Sequence, residues 1–264
     1  MSVIAQLEKE IEKTQVLIFA GGKAKRMGYI EKPKPLLEVC GKTLLDLCIE
    51  YYKNNGFKEY IVLVGHKRDE IMEHLGKGER YGVKIKYSVD PPIEKIGKGK
   101  ALKHAIETGI VDKQRRALIA FPDDIFLEPA LPLKLLIHHL EGVKTRNTLA
   151  TTVLAAAVDY PYGVAEVDEN NLVINFTEKP VIKMYTSTGL YMFEPKVYDL
   201  ITDMIDMNAD KALEFEQIVL PELARRKRIY ALVIPRGMWL PVNTLKELER
   251  AETILSQKNP FSIL

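Results

Sequence analysis

Residues 16–45 read VLIFAGGKAKRMGYIEKPKPLLEVCGKTLL, and the order of residue types in this stretch decides the fold. Val16-Leu17-Ile18-Phe19-Ala20 is a short, continuous apolar run. Such a run is the pattern of a strand buried on both faces, as in the middle of a parallel sheet. It stops at Gly21-Gly22, after which come Lys23, Lys25, Arg26, Lys32 and Lys34 with a single acid, Glu31, among them. Glycines let backbone N–H groups approach phosphate oxygens, and the cations neutralise polyphosphate charge. Taken alone, a solvated basic loop after a strand accounts for the same residues. The spacing fits neither the P-loop G-x-x-x-x-G-K-[ST] nor the dinucleotide-binding G-x-G-x-x-G.

Working outward, strands and helices alternate. Apolar runs predict strands at Tyr60–Val64, Val83–Val89 and Ala117–Phe121. Helical spacing predicts helices at Leu44–Tyr52, Asp69–Leu75, Lys100–Glu107 and Leu131–Leu140. Strands separated by helices of about ten residues imply a Rossmann-like, doubly wound, mostly parallel α/β sheet. Its ligand crevice lies at the carboxyl ends of the strands. After residue 148 the texture changes. Val164–Val167 and Leu172–Phe176 flank Asp168-Glu169-Asn170-Asn171, a hairpin signal. A strand is expected at Lys183–Phe193, helices near 196–205 and at Phe215–Arg225, a last strand at Arg228–Ile234 and a last helix at Leu245–Leu255. Residues 1–14, with Ile4, Leu7 and Ile11 at helical spacing behind Ser2, form an additional helix on the outside of the fold or in a homo-oligomer interface.

Composition narrows the function classes. The 264 residues are 47% hydrophobic and 28% charged with a formal net charge of +2. This balance argues against a dedicated nucleic-acid binder. No apolar run reaches membrane-spanning length, and the first residues lack a signal-peptide core. A cytoplasmic protein is expected, with Cys40 and Cys48 as buried, reduced thiols outside any zinc-ligand spacing.

Three further stretches carry chemistry. The predicted strand at Ala117–Phe121 runs through Pro122 into Asp123-Asp124. Carboxylates there suit a magnesium ion held with phosphate oxygens, and equally suit a helix N-cap. Gly97 and Gly99 flank Lys98 at the start of a helix, where backbone can approach an anion. Asp90 precedes Pro91-Pro92, where a ligand contact and a turn cap are both open. His138 and His139 have no adjacent carboxylate and read as surface or half-buried side chains.

Gly21, Gly22, Arg26 and Met27, then Pro33-Lys34-Pro35-Leu36-Leu37, then Gly41-Lys42 together resemble the signature of the sugar-1-phosphate nucleotidyltransferases. Ala24 and Lys25 depart from it. Tyr162-Gly163-Val164 followed by Glu178-Lys179-Pro180, and then Thr188-Gly189, resemble that family's sugar-side motifs. The resemblance implies one domain over residues 15–258, with a nucleotide half at about 15–145 and a sugar half at about 146–258 carrying a β-hairpin insertion. It implies a nucleoside triphosphate and a sugar 1-phosphate as substrates, Mg²⁺ as cofactor, and release of pyrophosphate. By the same resemblance Arg26 meets the β- and γ-phosphates and Lys34 the α-phosphate. Ala20, Gly21, Gly22, Lys23, Asp90 and Gly97 bind the nucleotide, while Gly163, Glu178, Lys179 and Thr188 bind the sugar phosphate. Asp123 holds the metal, with Asp124 as second choice.

One departure matters. Relatives carry a second metal-binding aspartate in Trp-x-Asp-x-Gly-Thr, where this chain reads Trp239-Leu240-Pro241-Val242-Asn243-Thr244. Pro241 has no side-chain donor to offer, and Asn243 supplies only a neutral amide oxygen. Two alternatives therefore stand beside the main reading. One is transfer to a non-sugar phosphate, such as an alcohol phosphate or cofactor precursor. The other is a non-catalytic nucleotide-sugar-binding regulator.

Overall fold

The computed structural model describes residues 2–22, 27 and 31–257. Helix α1 (Val3–Glu12) starts at Ser2, whose hydroxyl accepts the Ala5 N–H at 3.2 Å. Leu7 and Ile11 pack on the core while Val3 and Ile4 stay exposed, so the helix rides on the outside of the fold. β1 (Thr14–Phe19) is buried along its whole length. A small antiparallel pair, β2 (Glu38–Val39) and β3 (Lys42–Thr43), leads into α2 (Leu44–Asn54), whose start is closed by a Thr43–Asp46 capping box.

Alternation then runs through β4 (Glu59–Val64), α3 (Arg68–Leu75), β5 (Lys84–Val89), α4 (Gly97–Glu107) and β6 (Arg116–Ala120). β7 (Asp124–Phe126), α5 (Leu131–Arg146) and β8 (Ala150–Ala155) follow. Next come the short strand β9 (Val158–Asp159), the hairpin β10 (Val164–Val167) and β11 (Val173–Thr177), and β12 (Val181–Ile182). β13 (Thr186–Phe193), α6 (Lys196–Met204), α7 (Phe215–Arg225), β14 (Ile229–Ile234), β15 (Trp239–Pro241) and α8 (Leu245–Gln257) complete the described chain.

Seven strands form one sheet in the order β14-β8-β13-β6-β1-β4-β5. β1 is parallel to β4 and β6, β4 to β5, and β8 to β14. Only β13 runs against its neighbours β6 and β8. The architecture is the Rossmann-like, mostly parallel α/β sheet that the alternation predicts. The chain passes from β1 to β4 on one side and reaches β6 on the other, which opens a crevice beyond their carboxyl ends. Residues alternate into two cores along β1: Val16 and Ile18 face one layer with α2, α3 and α5, and Leu17 and Phe19 face the other with α4, α6 and α7. A third, smaller cluster of Val39, Leu44, Leu127, Leu240, Val242 and Leu255 seats α8 and β15 beside the crevice.

Several boundaries differ from expectation. α4 starts at Gly97 rather than Lys100, because its glycines are pressed against the 213 segment: Gly99 N–H donates to Leu213 O at 2.7 Å. A Cβ on Gly97 would stand 2.5 Å from Leu213 O. Packing overrides the low helix propensity of glycine there. α5 runs on to Arg146, and β13 begins at Thr186 rather than Lys183. Cys48 is buried as expected, but Cys40 is exposed, since it sits in the β2–β3 turn. His139 also departs from its reading. It is fully buried, with Thr151 Oγ1 at 2.9 Å and the Glu194 carboxylate at 3.0 Å, a partner 55 positions away. Burial lowers its pKa, although Glu194 opposes the shift. His138 is half-buried and stacks on Tyr230.

Candidate active site

A cavity of about 880 Å³ opens at the carboxyl ends of β1, β4, β5 and β6. Its walls include Ala20, Gly21, Gly22, Lys34, Asp90, Gly97 and Asp123. Seven residues singled out in the sequence, scattered over a hundred positions, thus meet around one space. The parallel sheet brings them there, because each follows a strand end or opens the next helix. Lys23 and Arg26 lie outside the described residues.

Lys34 stands in a single 3-10 turn (Lys34–Leu36), with Pro33 and Pro35 fixing the backbone around it. Its ammonium is ion-paired with the Asp123 carboxylate and lies 3.5 Å from Asn243 Oδ1. The Lys34 side chain is only 13% exposed and that of Asp123 27%. Asp123 is anchored through its own carbonyl, which accepts the Val242 N–H at 2.8 Å. The N-cap reading of Asp123 and Asp124 is excluded: Asp124 opens β7, and the next helix starts at Leu131.

β7 pairs antiparallel with β15 in the register Asp124↔Pro241, Ile125↔Leu240 and Phe126↔Trp239. This pairing sets Pro241, where the resemblance implies an aspartate, directly across from Asp124. Asp124 itself takes the indole N–H of Trp239 at 2.8 Å on Oδ1. Its other oxygen lies over Gly189, where a Cβ would come within 2.5 Å. Burial and the charge on Asp123 push the Asp124 pKa well up. Asp123 therefore offers the accessible charge at this strand end, with Asp124 behind it outside the cavity lining. Asn243 is held just before α8, where the Glu247 carboxylate accepts its backbone N–H at 2.8 Å and the Thr244 hydroxyl at 3.1 Å.

Among the described residues, no group of three or more His, Cys, Asp or Glu converges as a metal site. The donor set at Lys34 nevertheless suits a hard cation. An ammonium already sits between a carboxylate and an amide oxygen, and Mg²⁺ asks for one or two protein oxygens plus phosphate and water.

Lys98 was not distinguished from its flanking glycines in the sequence, yet it lines the cavity. Its ammonium lies 3.0 Å from both Glu214 and Glu216 and 5.6 Å from the Phe121 ring centroid. Burial alone would lower its pKa, but Glu216 and Glu214 outweigh that and raise it. Nothing in the sequence pairs a helix-start lysine with acids more than a hundred positions on.

The sugar-side residues lie elsewhere. Gly163, Glu178, Lys179 and Thr188 are not among the residues lining the cavity. Gly163 faces the Phe176 ring and the Glu178 carboxylate across the hairpin. Glu178 and Lys179 are 3.8 Å apart and largely exposed, at 62% and 65%. The Thr188 hydroxyl is turned into the sheet, donating to Val153 O at 3.0 Å, and the residue is buried.

The sequence profile described as Nucleotidyl transferase matches residues 15–258. The chain is 28% identical over 224 residues to a UTP–glucose-1-phosphate uridylyltransferase of Synechocystis sp., covering 76% of this chain and 56% of that protein. It is 28% identical over 257 residues to a mannose-1-phosphate guanyltransferase of Eremothecium gossypii, covering 92% of this chain and 66% of that protein. A D-glycero-alpha-D-manno-heptose 1-phosphate guanylyltransferase of Campylobacter jejuni is 31% identical over 189 residues, with 70% of this chain and 78% of that protein covered. The chain spans less than two thirds of the length of the first two. In architecture it is similar to a crystal structure from Bacillus anthracis, provisionally named a glucose-1-phosphate thymidylyltransferase. The TM-score is 0.70 at 23% identity, with 91% of this chain and 94% of that one covered.

Proposed function

Because the chain belongs to the nucleotidyl transferase family, we propose that it joins a sugar 1-phosphate to a nucleoside triphosphate and releases pyrophosphate. The observation that carries this reading is the Lys34–Asp123 pair at the mouth of β6, facing the Gly21-Gly22 turn across one cavity. An oxygen of the sugar phosphate forms the new bond to the α-phosphorus, and the bond from that phosphorus to the β-phosphate oxygen breaks. The nucleophile is already anionic, so positioning and charge neutralisation supply most of the catalysis. Lys34 would leave Asp123 for the α-phosphate, and the Gly21-Gly22 backbone lets phosphate oxygens approach. Arg26 and Lys23 are assigned to the same phosphates on their place in the sequence alone. Mg²⁺ would be held by Asp123 and the Asn243 amide oxygen, where it neutralises phosphate charge.

Assigning the sugar phosphate to Glu178 and Lys179, and dividing the chain near residue 145 into nucleotide and sugar halves, are parts of the same proposal. One observation favours a second acceptor class: the hairpin residues do not line the cavity that holds Lys34. A non-sugar phosphate therefore belongs in the test. Pro241 across from Asp124 is what a non-catalytic regulator would tolerate. The relatives differ in base and sugar, so neither is carried over. A cytoplasmic location and self-association also remain expectations; no helix among the described residues is long and apolar enough to cross a membrane.

The deciding experiment measures pyrophosphate release over a panel of triphosphates with sugar 1-phosphates and alcohol phosphates in Mg²⁺. Turnover with a sugar 1-phosphate is expected. Turnover only with an alcohol phosphate, or binding with no turnover, overturns the reading in favour of the first or second alternative.

A further inference from the structure

We propose that two copies of this chain associate through the β10–β11 hairpin, with β11 pairing antiparallel to β11 of the second copy about a two-fold axis. The proposal goes beyond the nucleotidyltransferase reading and does not rest on it. Of the sixteen large hydrophobic side chains exposed among the described residues, eleven fall between Tyr160 and Tyr185. Every residue of β10 and β11 is exposed, and the two strands pair only with each other. The hairpin is nonetheless well built. Asp168 Oδ1 accepts the Asn170 and Leu172 N–H groups, both at 2.9 Å, and the Asp168 N–H donates to Leu172 O at 2.9 Å. A two-stranded hairpin with no covered face is marginal in water. One that also holds so many apolar side chains outward has a surface to bury.

Register and sequence decide which edge is used. Val164 stands opposite Thr177, Ala165 opposite Phe176 and Glu166 opposite Asn175. Ala165, Ile174 and Phe176 therefore share one face of the ribbon. Ile174 and Phe176 are each 64% exposed. β10 carries Glu166 and runs into Asp168 and Glu169, whereas residues 171–177, NLVINFT, hold no charge. Charges on an edge strand deter pairing, and an uncharged edge of β-branched and aromatic residues invites it. β11 is thus the open edge. Antiparallel pairing of β11 with itself about Asn175 sets Ile174 opposite Phe176 of the second copy, and Phe176 opposite Ile174 of the second copy. Two aliphatic–aromatic cross-strand pairs then lie side by side on one face.

Area and charge select the occupant. The eleven side chains expose on the order of 1,000 Å², enough for the roughly 800 Å² that each partner buries in a stable interface. A two-fold contact uses the same patch on both copies, so no complementary surface elsewhere is required. Residues 159–185 hold five acids against two lysines, the wrong sign for an anionic membrane surface. Helix α1 offers only Val3 and Ile4, too little for a dimer of its own.

The test is sedimentation equilibrium of the full chain over about 1–100 µM, since interfaces of this size hold at micromolar concentration or tighter. At the upper end the parent should have twice its 30.0 kDa mass. Phe176→Asp should raise the dissociation constant at least about tenfold, with a circular dichroism melt confirming that the variant is folded. Val3→Asp should dimerise as the parent does. In a Cys40→Ser background, Asn175→Cys should form an inter-chain disulfide on mild oxidation, because directly opposed antiparallel residues have Cα atoms about 4.5–5.5 Å apart. Val167→Cys, on the outer strand of the joined sheet, should not. A monomer throughout the range, including one that binds lipid vesicles instead, overturns the proposal. So does a dimer that survives Phe176→Asp, or one that Val167→Cys cross-links and Asn175→Cys does not.

Discussion

Replacing Asp90 with Asn should stabilise the protein, and by an amount that depends on pH. The folded chain holds the Asp90 carboxyl in a desolvated wall without a donor, and burial raises its pKa from 3.8 to about 6. The unfolded chain ionises at the lower value. Between pH 4 and 6 the folded state therefore keeps a proton that the unfolded state has lost, so the Asp90 contribution favours folding at low pH and disappears as pH rises. The difference is roughly two pH units at about 1.4 kcal/mol each, so ionised Asp90 costs the folded parent up to about 3 kcal/mol above pH 7. Asn is neutral at every pH and avoids that cost. Asp90→Asn should thus exceed the parent by about 1–3 kcal/mol in urea unfolding at pH 8 and match it near pH 3.5. His66, Arg68, Glu94 and Lys95 line the same cavity, but they are common to both proteins and largely cancel in the difference. A difference that is zero at pH 8, or that does not shrink between pH 7 and 4, refutes the reasoning. Natural retention of a destabilising carboxylate is what a binding role would explain.

Lys34→Ala and Asp123→Asn should each lower the rate of pyrophosphate release on the order of 10²-fold or more, since each removes a charge that the proposed reading assigns to the phosphates or their metal; parent-like turnover in both would remove the pair from the chemistry. Gly189→Ala should lower the melting temperature by several degrees. The position has φ +83°, which alone costs about 1–2 kcal/mol with a side chain, and the new Cβ would press on Asp124 Oδ2 at 2.5 Å. An unchanged melting curve would show that Asp124 moves freely. Pro241→Asp should lower stability without metal and gain more from Mg²⁺ in thermal melts than the parent does. The register sets residue 241 opposite Asp124, and directly opposed residues share a face, so the new carboxylate would stand beside Asp124. The same Mg²⁺ response in both proteins would contradict that placement.

The crevice at the strand ends was legible because its signals are local. Val16 to Ala20 reads as a buried strand since both faces of β1 are covered, and a glycine pair at the end of such a strand marks the crevice whatever lies elsewhere. The strand leading to Asp123 reads the same way, and seven of the residues that the family resemblance added to these local patterns line one cavity. What escaped the sequence depends on partners that local pattern cannot bring together. Trp239 and Asp124 are 115 positions apart, joined by two three-residue strands too short for any periodicity to mark. Lys98 meets Glu214 and Glu216 only because α4 and α7 cover the same sheet face, and His139 meets Glu194 only across the core. Thr188 shows the same limit from the other side. Its motif matched, but its hydroxyl donates to Val153 O, at a place where the β13–β8 register shifts between Ser187 and Tyr191 and local pattern gives no guide. Asp90 differs from all of these. The sequence left it open between a ligand contact and a turn cap, and the room its carboxylate occupies depends on Gly65, which no motif contained.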